Sequence, residues 1–515
     1  MKKIYLIFIV LIGISVSCKK SMEELNVDTK SATDVPGNYL FSNAQKALGD
    51  QVSSTNVNLN NWKLWAQYWT ETTYLDESNY DVVTRDIASN KFEEYYRDNL
   101  ADLAEAAKLI TEEVVAGDEE QKAKDNRLAI IDLMMVYSYQ RLVDMFGNIP
   151  YFESLDIENI SPVYDDAEAI YRDLIVRVNA AIATLDEGYG SFGAADIYMG
   201  GNVTMWKKFA NTLKVKLGIT MSTVDAGLAK TTVESAYAGA FGEGEGCELH
   251  YLGGVNSNQI YVDLIQSGRS DFVAASTIIE MMNKLEDPRR YCYFTLTDTS
   301  SNPEEVKLAY VGGEPGFSSP YSLFSHPPNT AFDAATNGGD RLETDVEGSN
   351  VGDATFPMVM LDYIEMCFYL AEAAERGFSV GGSAEQWYTN GITASMDWWL
   401  SKHYGPDEVT ALTNAYLARA DVAYATAEGD WRQKIGNQAW LAAYYRGFVG
   451  YTSYRRLHYP VLKTVGSPAE GSGGTVPRRI TYPIAEQTLN GANYTQAADA
   501  IGGDLLKTPL FWDDK

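Results

Sequence analysis

Periodicity constrains this chain more than any other feature: apolar residues recur at spacings of three and four over long stretches, and those stretches arrive in pairs. Such spacing lays the apolar side chains along one face of an α-helix, which must then be buried against a neighbour. Residues 92–110 and 127–146 read as a first pair, separated by the acidic stretch 111–125. In the second member Leu128, Ile131, Met135, Tyr139 and Leu142 share a face, and Gly147-Asn148-Ile149-Pro150 stops the helix. Residues 165–185 and 204–224 make a second pair, with Trp206, Phe209, Leu213, Leu217 and Met221 on one side. Residues 358–378 and 384–401 make a third, whose first helix is apolar nearly all round and is expected in the deep interior. The fold class that follows is mainly α: a TPR-like superhelix of stacked helix pairs, with long irregular loops and few short strands. Residues 241–268 and 295–357 supply those loops, rich in Gly, Pro, Ser and Asn, and loops of such length usually carry function.

The N-terminus reads differently. Lys2 and Lys3 precede a mostly apolar run over residues 4–16, the pattern of a signal peptide and too short to cross a bilayer. Ser15-Val16-Ser17-Cys18 closes it, and small residues before a cysteine resemble a bacterial lipobox. The expected organisation is a signal peptide over 1–17, a lipidated N-terminus at Cys18 with a polar tether over 18–36, and one body over 37–515. Contact with the membrane is then through the lipid alone. Cys247, Cys292 and Cys367 remain, too few and too scattered for a disulfide framework or a zinc site.

Charge excludes partners. With 41 Lys+Arg against 70 Asp+Glu the formal net charge is −29, which argues against a nucleic-acid partner and against anionic lipid head groups. The Arg/Tyr cluster from Tyr444 to Arg456 is expected to close internal salt bridges in so acidic a chain. Among aromatics, 34 Tyr and 10 Trp outnumber 18 Phe, and the first two keep a polar handle that suits binding surfaces.

Catalytic patterns are missing. His250, His326, His403 and His458 have no metal-ligand spacing, no Gly-x-Ser-x-Gly elbow or phosphate loop occurs, and neither metal nor cofactor is expected. Asp76 and Glu77 beside Tyr74 and Tyr80 could in principle form a glycosidase pair, but spacing cannot place two carboxylates across one bond. Binding is better supported. Trp62, Trp65 and Trp69 are spaced for one helical face, followed by the polar run Tyr74-Leu75-Asp76-Glu77-Ser78-Asn79-Tyr80. Flat rings beside Asp and Asn suit an uncharged polyhydroxylated ligand, whose C–H faces stack while its hydroxyls bond at the rim. The run from Phe317 to His326 adds aromatics in a Pro/Ser loop. The expected pocket is Trp69, Tyr74, Asp76, Asn79 and Tyr80 with Tyr321 and Phe324.

Several blocks together resemble one family, the SusD/RagB outer-membrane lipoproteins of Bacteroidetes. They are Cys18 with Met22-Glu23-Glu24-Leu25-Asn26, Phe146-Gly147-Asn148-Ile149-Pro150-Tyr151, Trp206 through Lys214, Glu286-Asp287-Pro288-Arg289, Phe356 through Ala373, and Pro477 through Pro483 with Glu486, Asn490 and Tyr494. The resemblance covers nearly the whole mature chain. It implies a nutrient-binding lipoprotein that caps a SusC-like TonB-dependent transporter and delivers an oligomeric ligand, with a neutral glycan as the first expectation. A peptide-binding lid, a surface glycoside hydrolase and a purely structural scaffold are the other readings.

Overall fold

A computed structural model describes residues 35–300, 307–327 and 351–513. Cys18, the expected leader and nearly all of the tether lie outside the described residues, as does most of the later half of the expected loop 295–357, residues 328–350.

Helix α1 (Gly37–Ser53) leads into a single helical turn at Trp62–Trp65. The first expected pair is α2 (Ile87–Tyr95), continued through a π-turn at Tyr96–Leu100 into α3 (Ala101–Glu112), followed by α4 (Asp118–Phe146). The second is α5 (Ala167–Thr184) with α6 (Val203–Thr220), to which α7 (Ala226–Glu234) is added. After α8 (Ser276–Lys284) come α9 (Tyr363–Glu375) and α10 (Ala384–Leu400), the third expected pair, then α11 (Pro406–Leu417), α12 (Trp431–Ala442) and α13 (Gly447–Leu457). Neighbours in sequence are neighbours in space: α3 packs on α4, α4 on α5, α5 on α6, α9 on α10 and α12 on α13. The α9 helix also contacts α6 and α12, which joins the early and late pairs into one core.

Local chemistry sets the helix ends. Asp166, Asn202, Asp225, Asp362, Ser383 and Asp430 each accept a hydrogen bond from the backbone N–H three residues on, an N-cap contributing about 1 kcal/mol. The α4 helix ends at Gly147, whose φ of +83° is one that a side-chain-bearing residue rarely adopts. Asn148 then accepts from the Ala167 N–H, and Ile149 bridges to Asp165, so this turn is the clasp between α4 and α5.

Two expectations are corrected. The acidic stretch before residue 127 is largely helix: α4 begins at Asp118, its first turns solvated and its last ones enclosed on all sides. Residues 358–362 are strand, not helix, and pair antiparallel with Gly246–Leu249. A short buried apolar run has no period that separates the two structures.

Among the described residues six strands form three two-stranded ribbons: β1 (Trp69–Glu71) with β3 (Phe272–Ala274), β2 (Gly246–Leu249) with β6 (Met358–Asp362), and β4 (Thr297–Asp298) with β5 (Leu308–Ala309).

The interior is aromatic and ionic together. Arg446 bonds Asp362 at 3.0 Å and Glu365 at 2.7 Å, Lys216 reaches Glu365 at 3.0 Å, and Arg456 pairs with Glu372. Burial raises the Glu365 carboxyl, yet Lys216 and Arg446 together hold it below the ordinary glutamate range. The arginine cluster therefore does close internal salt bridges. Cys247, Cys292 and Cys367 are buried thiols and none is disulfide-bonded. Among the described residues no helix is long and apolar enough to cross a membrane.

Candidate functional site

The polar run after Trp69 grows out of the β1–β3 ribbon. In that ribbon Trp69 pairs with Ala274, Thr70 with Val273 and Glu71 with Phe272. A third segment joins its edge, because Gly313 N–H donates to the Ala274 carbonyl and Ala274 N–H to that of Ser325. The loops over residues 72–80 and 314–319 thus leave one small platform side by side.

Loop 72–80 is closed at its base by a reciprocal pair of bonds. Ser78 N–H donates to the Glu71 carboxyl at 3.0 Å, and Glu71 N–H donates to the Ser78 hydroxyl at 3.0 Å. Asn79 locks it to its neighbours: the side-chain amide donates to the carbonyls of Leu75 and Gly316, and its oxygen accepts from Ser467 N–H at 2.7 Å. Gly316 has φ +75°, and a Cβ there would stand 2.4 Å from the Asn79 oxygen, so only glycine permits this approach. Ser318 and Ser319 both donate to the Thr72 carbonyl. Three chain segments, around residues 75, 316 and 467, are thereby held as one unit.

Two tyrosines in this loop are held at positive φ, Tyr74 at +55° and Tyr80 at +72°. A bulky residue there costs on the order of 1–3 kcal/mol and persists only when its surroundings over-determine it. Tyr80 is enclosed, edge-on to Trp65. Tyr74 instead is turned outward and is 71% exposed. Phe317, 52% exposed, rises from the adjoining loop, with Leu323 also exposed beyond it. Tyr321 is half-buried and stacks on His326 at 4.7 Å. Tyr74 and Phe317 are thus exposed rings on two loops that the Ser318–Thr72 and Asn79–Gly316 bonds tie together, an aromatic shelf with Asp76 and the Ser318 hydroxyl on the same loops.

The expected pocket is thus brought together only in part. Tyr74 and Asp76 lie on the surface, and Tyr321 and Phe324 are partly exposed. Trp69, Asn79 and Tyr80 are buried and face inward, a correction to the sequence expectation. Trp69 donates its indole N–H to the Tyr444 hydroxyl at 3.0 Å and packs on Phe272. Asn79 spends its amide on backbone groups, and Tyr80 belongs to the Trp65 and Tyr451 aromatic cluster. Nor do the three tryptophans share a helix face, because the helix stops at Trp65 and Trp69 starts a strand. Phe317, the first aromatic of the second expected run, is more exposed than Tyr321 or Phe324, and nothing in the local sequence distinguishes it from them.

The Asp76/Glu77 pair does not span a cleft. Glu77 is fully enclosed beside Arg85 at 2.5 Å, and Asp76 lies 3.9 Å from the same guanidinium. Behind the loop Glu77 adjoins Glu71, and the Glu71 carboxyl is pushed up to about 9, first by burial and then by the Glu77 charge. Burial and the proximity of the two carboxyls favour a protonated carboxyl in this pair, with Arg85 opposing it on the Glu77 side. Among the described residues no cluster of His, Cys, Asp and Glu could hold a metal ion.

A family model described as "Starch-binding associating with outer membrane", SusD-like, matches residues 28–483. Solved structures share the fold. A chitin-binding protein superposes with a TM-score of 0.76 at 23% identity, covering 93% of this chain and 100% of that one. A SusD homolog from Bacteroides uniformis gives 0.71 at 23% identity, with 93% and 100% covered. A chitin-binding SusD homolog from Flavobacterium johnsoniae gives 0.71 at 23%, with 93% and 98% covered. No curated protein matches the chain in sequence.

Proposed function

The chain belongs to the SusD-like family, and on that premise we propose that it is a lipid-anchored glycan-binding protein that serves as the lid of a SusC-like TonB-dependent transporter. Its ligand is a neutral oligosaccharide, taken up at the cell exterior. The single observation that carries the reading is the shelf: Tyr74 held outward on a strained backbone and Phe317 exposed on the loop bonded to it, with the Asp76 carboxylate and the Ser318 hydroxyl on the same two loops. Rings of this kind stack on the C–H faces of sugars, and rim groups orient the hydroxyls. Two of the structural relatives are named as chitin-binding, which supports the ligand class.

A protein partner is supported by a separate surface. A groove of about 510 Å³ runs between α2, the loop after Pro150 and the segment after Pro483, lined by Phe92, Tyr96, Leu155, Ile160, Pro483 and Leu489. Ile160 is 89% exposed and Leu489 75%, and Phe152 and Ile157 are also exposed in the loop after Pro150. Exposed apolar residues gathered in a groove with a polar rim mark interaction sites. We assign this groove to the transporter.

The test is calorimetry against chito- and malto-oligosaccharides with the wild type, Tyr74→Ala and Phe317→Ala. Each substitution should weaken binding by ~1–2 kcal/mol while leaving the melting temperature unchanged. Binding of peptides in place of glycans, or release of new reducing ends, would overturn the reading. Ile160→Glu should separately abolish co-purification with a large barrel protein without altering glycan affinity.

A further inference from the structure

Beside the shelf lies a cavity of about 350 Å³, within the range of small-molecule sites. Its walls come from α8, from α12, from the segment after Tyr459 and from the loop around residues 421–428. No residue of the expected pocket lines it.

The charges in this cavity cancel. Lys284, Lys434 and Lys463 face Glu280, Asp421 and Glu428. Lys463 bonds Glu280 at 2.6 Å and Glu314 at 3.2 Å, Lys434 donates to the Tyr424 carbonyl, and Lys284 stands 3.8 Å from Glu428. An anionic or cationic ligand therefore finds no surplus of the opposite sign. The remaining wall is of two kinds. Met281, Leu285, Tyr459, Pro460 and Val461 are apolar or aromatic, while Gln433, Asn437 and Gln438 carry amides. Asn437 belongs to this wall, and its side-chain oxygen is enclosed without a hydrogen-bond partner in the protein. Paired ions and amides both donate and accept, as hydroxyl groups do, and the apolar wall fits the C–H face of a ring.

The cavity is structurally continuous with the shelf. Lys463 forms part of its wall and is tied through its backbone to Gln67, which donates to the Lys463 carbonyl at 2.7 Å and accepts from its N–H at 2.9 Å. Its ammonium bonds Glu314, three residues before Phe317, and Gly466 N–H donates to the Pro315 carbonyl. One segment, residues 459–467, therefore builds the cavity on one side and props the shelf on the other.

We propose that this cavity is a second glycan subsite, which takes the terminal or branching sugars of the chain whose middle lies on the shelf. The inference rests on the glycan-binding reading above and adds to it a bipartite site with a preference for uncharged sugars. It predicts that affinity rises in a step once the oligosaccharide is long enough to reach from shelf to cavity.

The experiment is calorimetry with chito- and malto-oligosaccharides of increasing length on the full mature protein, Ala427→Trp and Asn437→Leu. Ala427→Trp fills the cavity from its loop wall, and Asn437→Leu is nearly isosteric, which guards against a fold defect in the first. Both variants should lose the step, binding the longest probe about tenfold more weakly while binding the shortest shelf-bound probe as the wild type does. If the wild type binds and Tyr74→Ala weakens it, yet both cavity variants retain the step, the subsite is overturned and the shelf stands. If the wild type binds no glycan, the functional reading falls and the subsite with it.

Discussion

Glu71 and Glu77 show how a residue's role depends on what folding brings beside it. Each is an acid in an acidic chain, and only the closing of loop 72–80 places both out of water. Burial raises each carboxyl, and the neighbouring charge adds to it for Glu71, while Arg85 opposes the rise at Glu77. Because the folded Glu71 pKa lies above the unfolded carboxyl range, its contribution to stability is full below that range. It is lost as pH rises toward about 9. Melting temperature should therefore decline from mildly acid toward alkaline pH, and Glu71→Gln should flatten that decline; an unchanged slope in thermal scans would refute the protonated carboxyl. At the DPR turn, Arg289 and Asp287 are both fully buried and 2.6 Å apart. Asp287→Ala strands the guanidinium, which also bonds Ser395, and should cost about 3–5 kcal/mol in urea unfolding.

Among the elements, helices were the most readable from sequence, because a period of 3.6 is imposed by geometry and recurs wherever one face is buried. The N-terminal turns of α4 were missed since solvated turns such as those from Asp118 onward have no apolar face to show. Strand β6 was missed because burial on both sides erases alternation. Loop 72–80 was located by its polarity, but its ring orientations were not, since Tyr74 and Tyr80 carry the same side chain in the same run and one faces out while the other is core. What separates them is the Asn79 lock to residues 316 and 467. Asn79→Ala removes three hydrogen bonds and should cost ~1–3 kcal/mol. It should also speed amide exchange in all three segments and weaken glycan binding, although Asn79 touches no ligand.

Over the whole molecule, the full chain's net charge of −29 disfavours contact with anionic membranes, and the proposed attachment is through a lipid on Cys18. Cys18→Ser should leave the folded protein unattached to membranes and without fatty-acid label in metabolic labelling. The sequence by itself determined the helical class, the order of the pairs and the internal salt bridges of the Tyr444–Arg456 cluster, since each is written in local spacing and residue type. Tertiary structure alone decided which aromatics stay exposed, that Glu71 and Glu77 meet, and that a neutral cavity adjoins the shelf. Those depend on contacts between residues hundreds of positions apart, such as Asn79 with Ser467 or Trp69 with Tyr444, and no local pattern encodes which side chain such a contact will enclose.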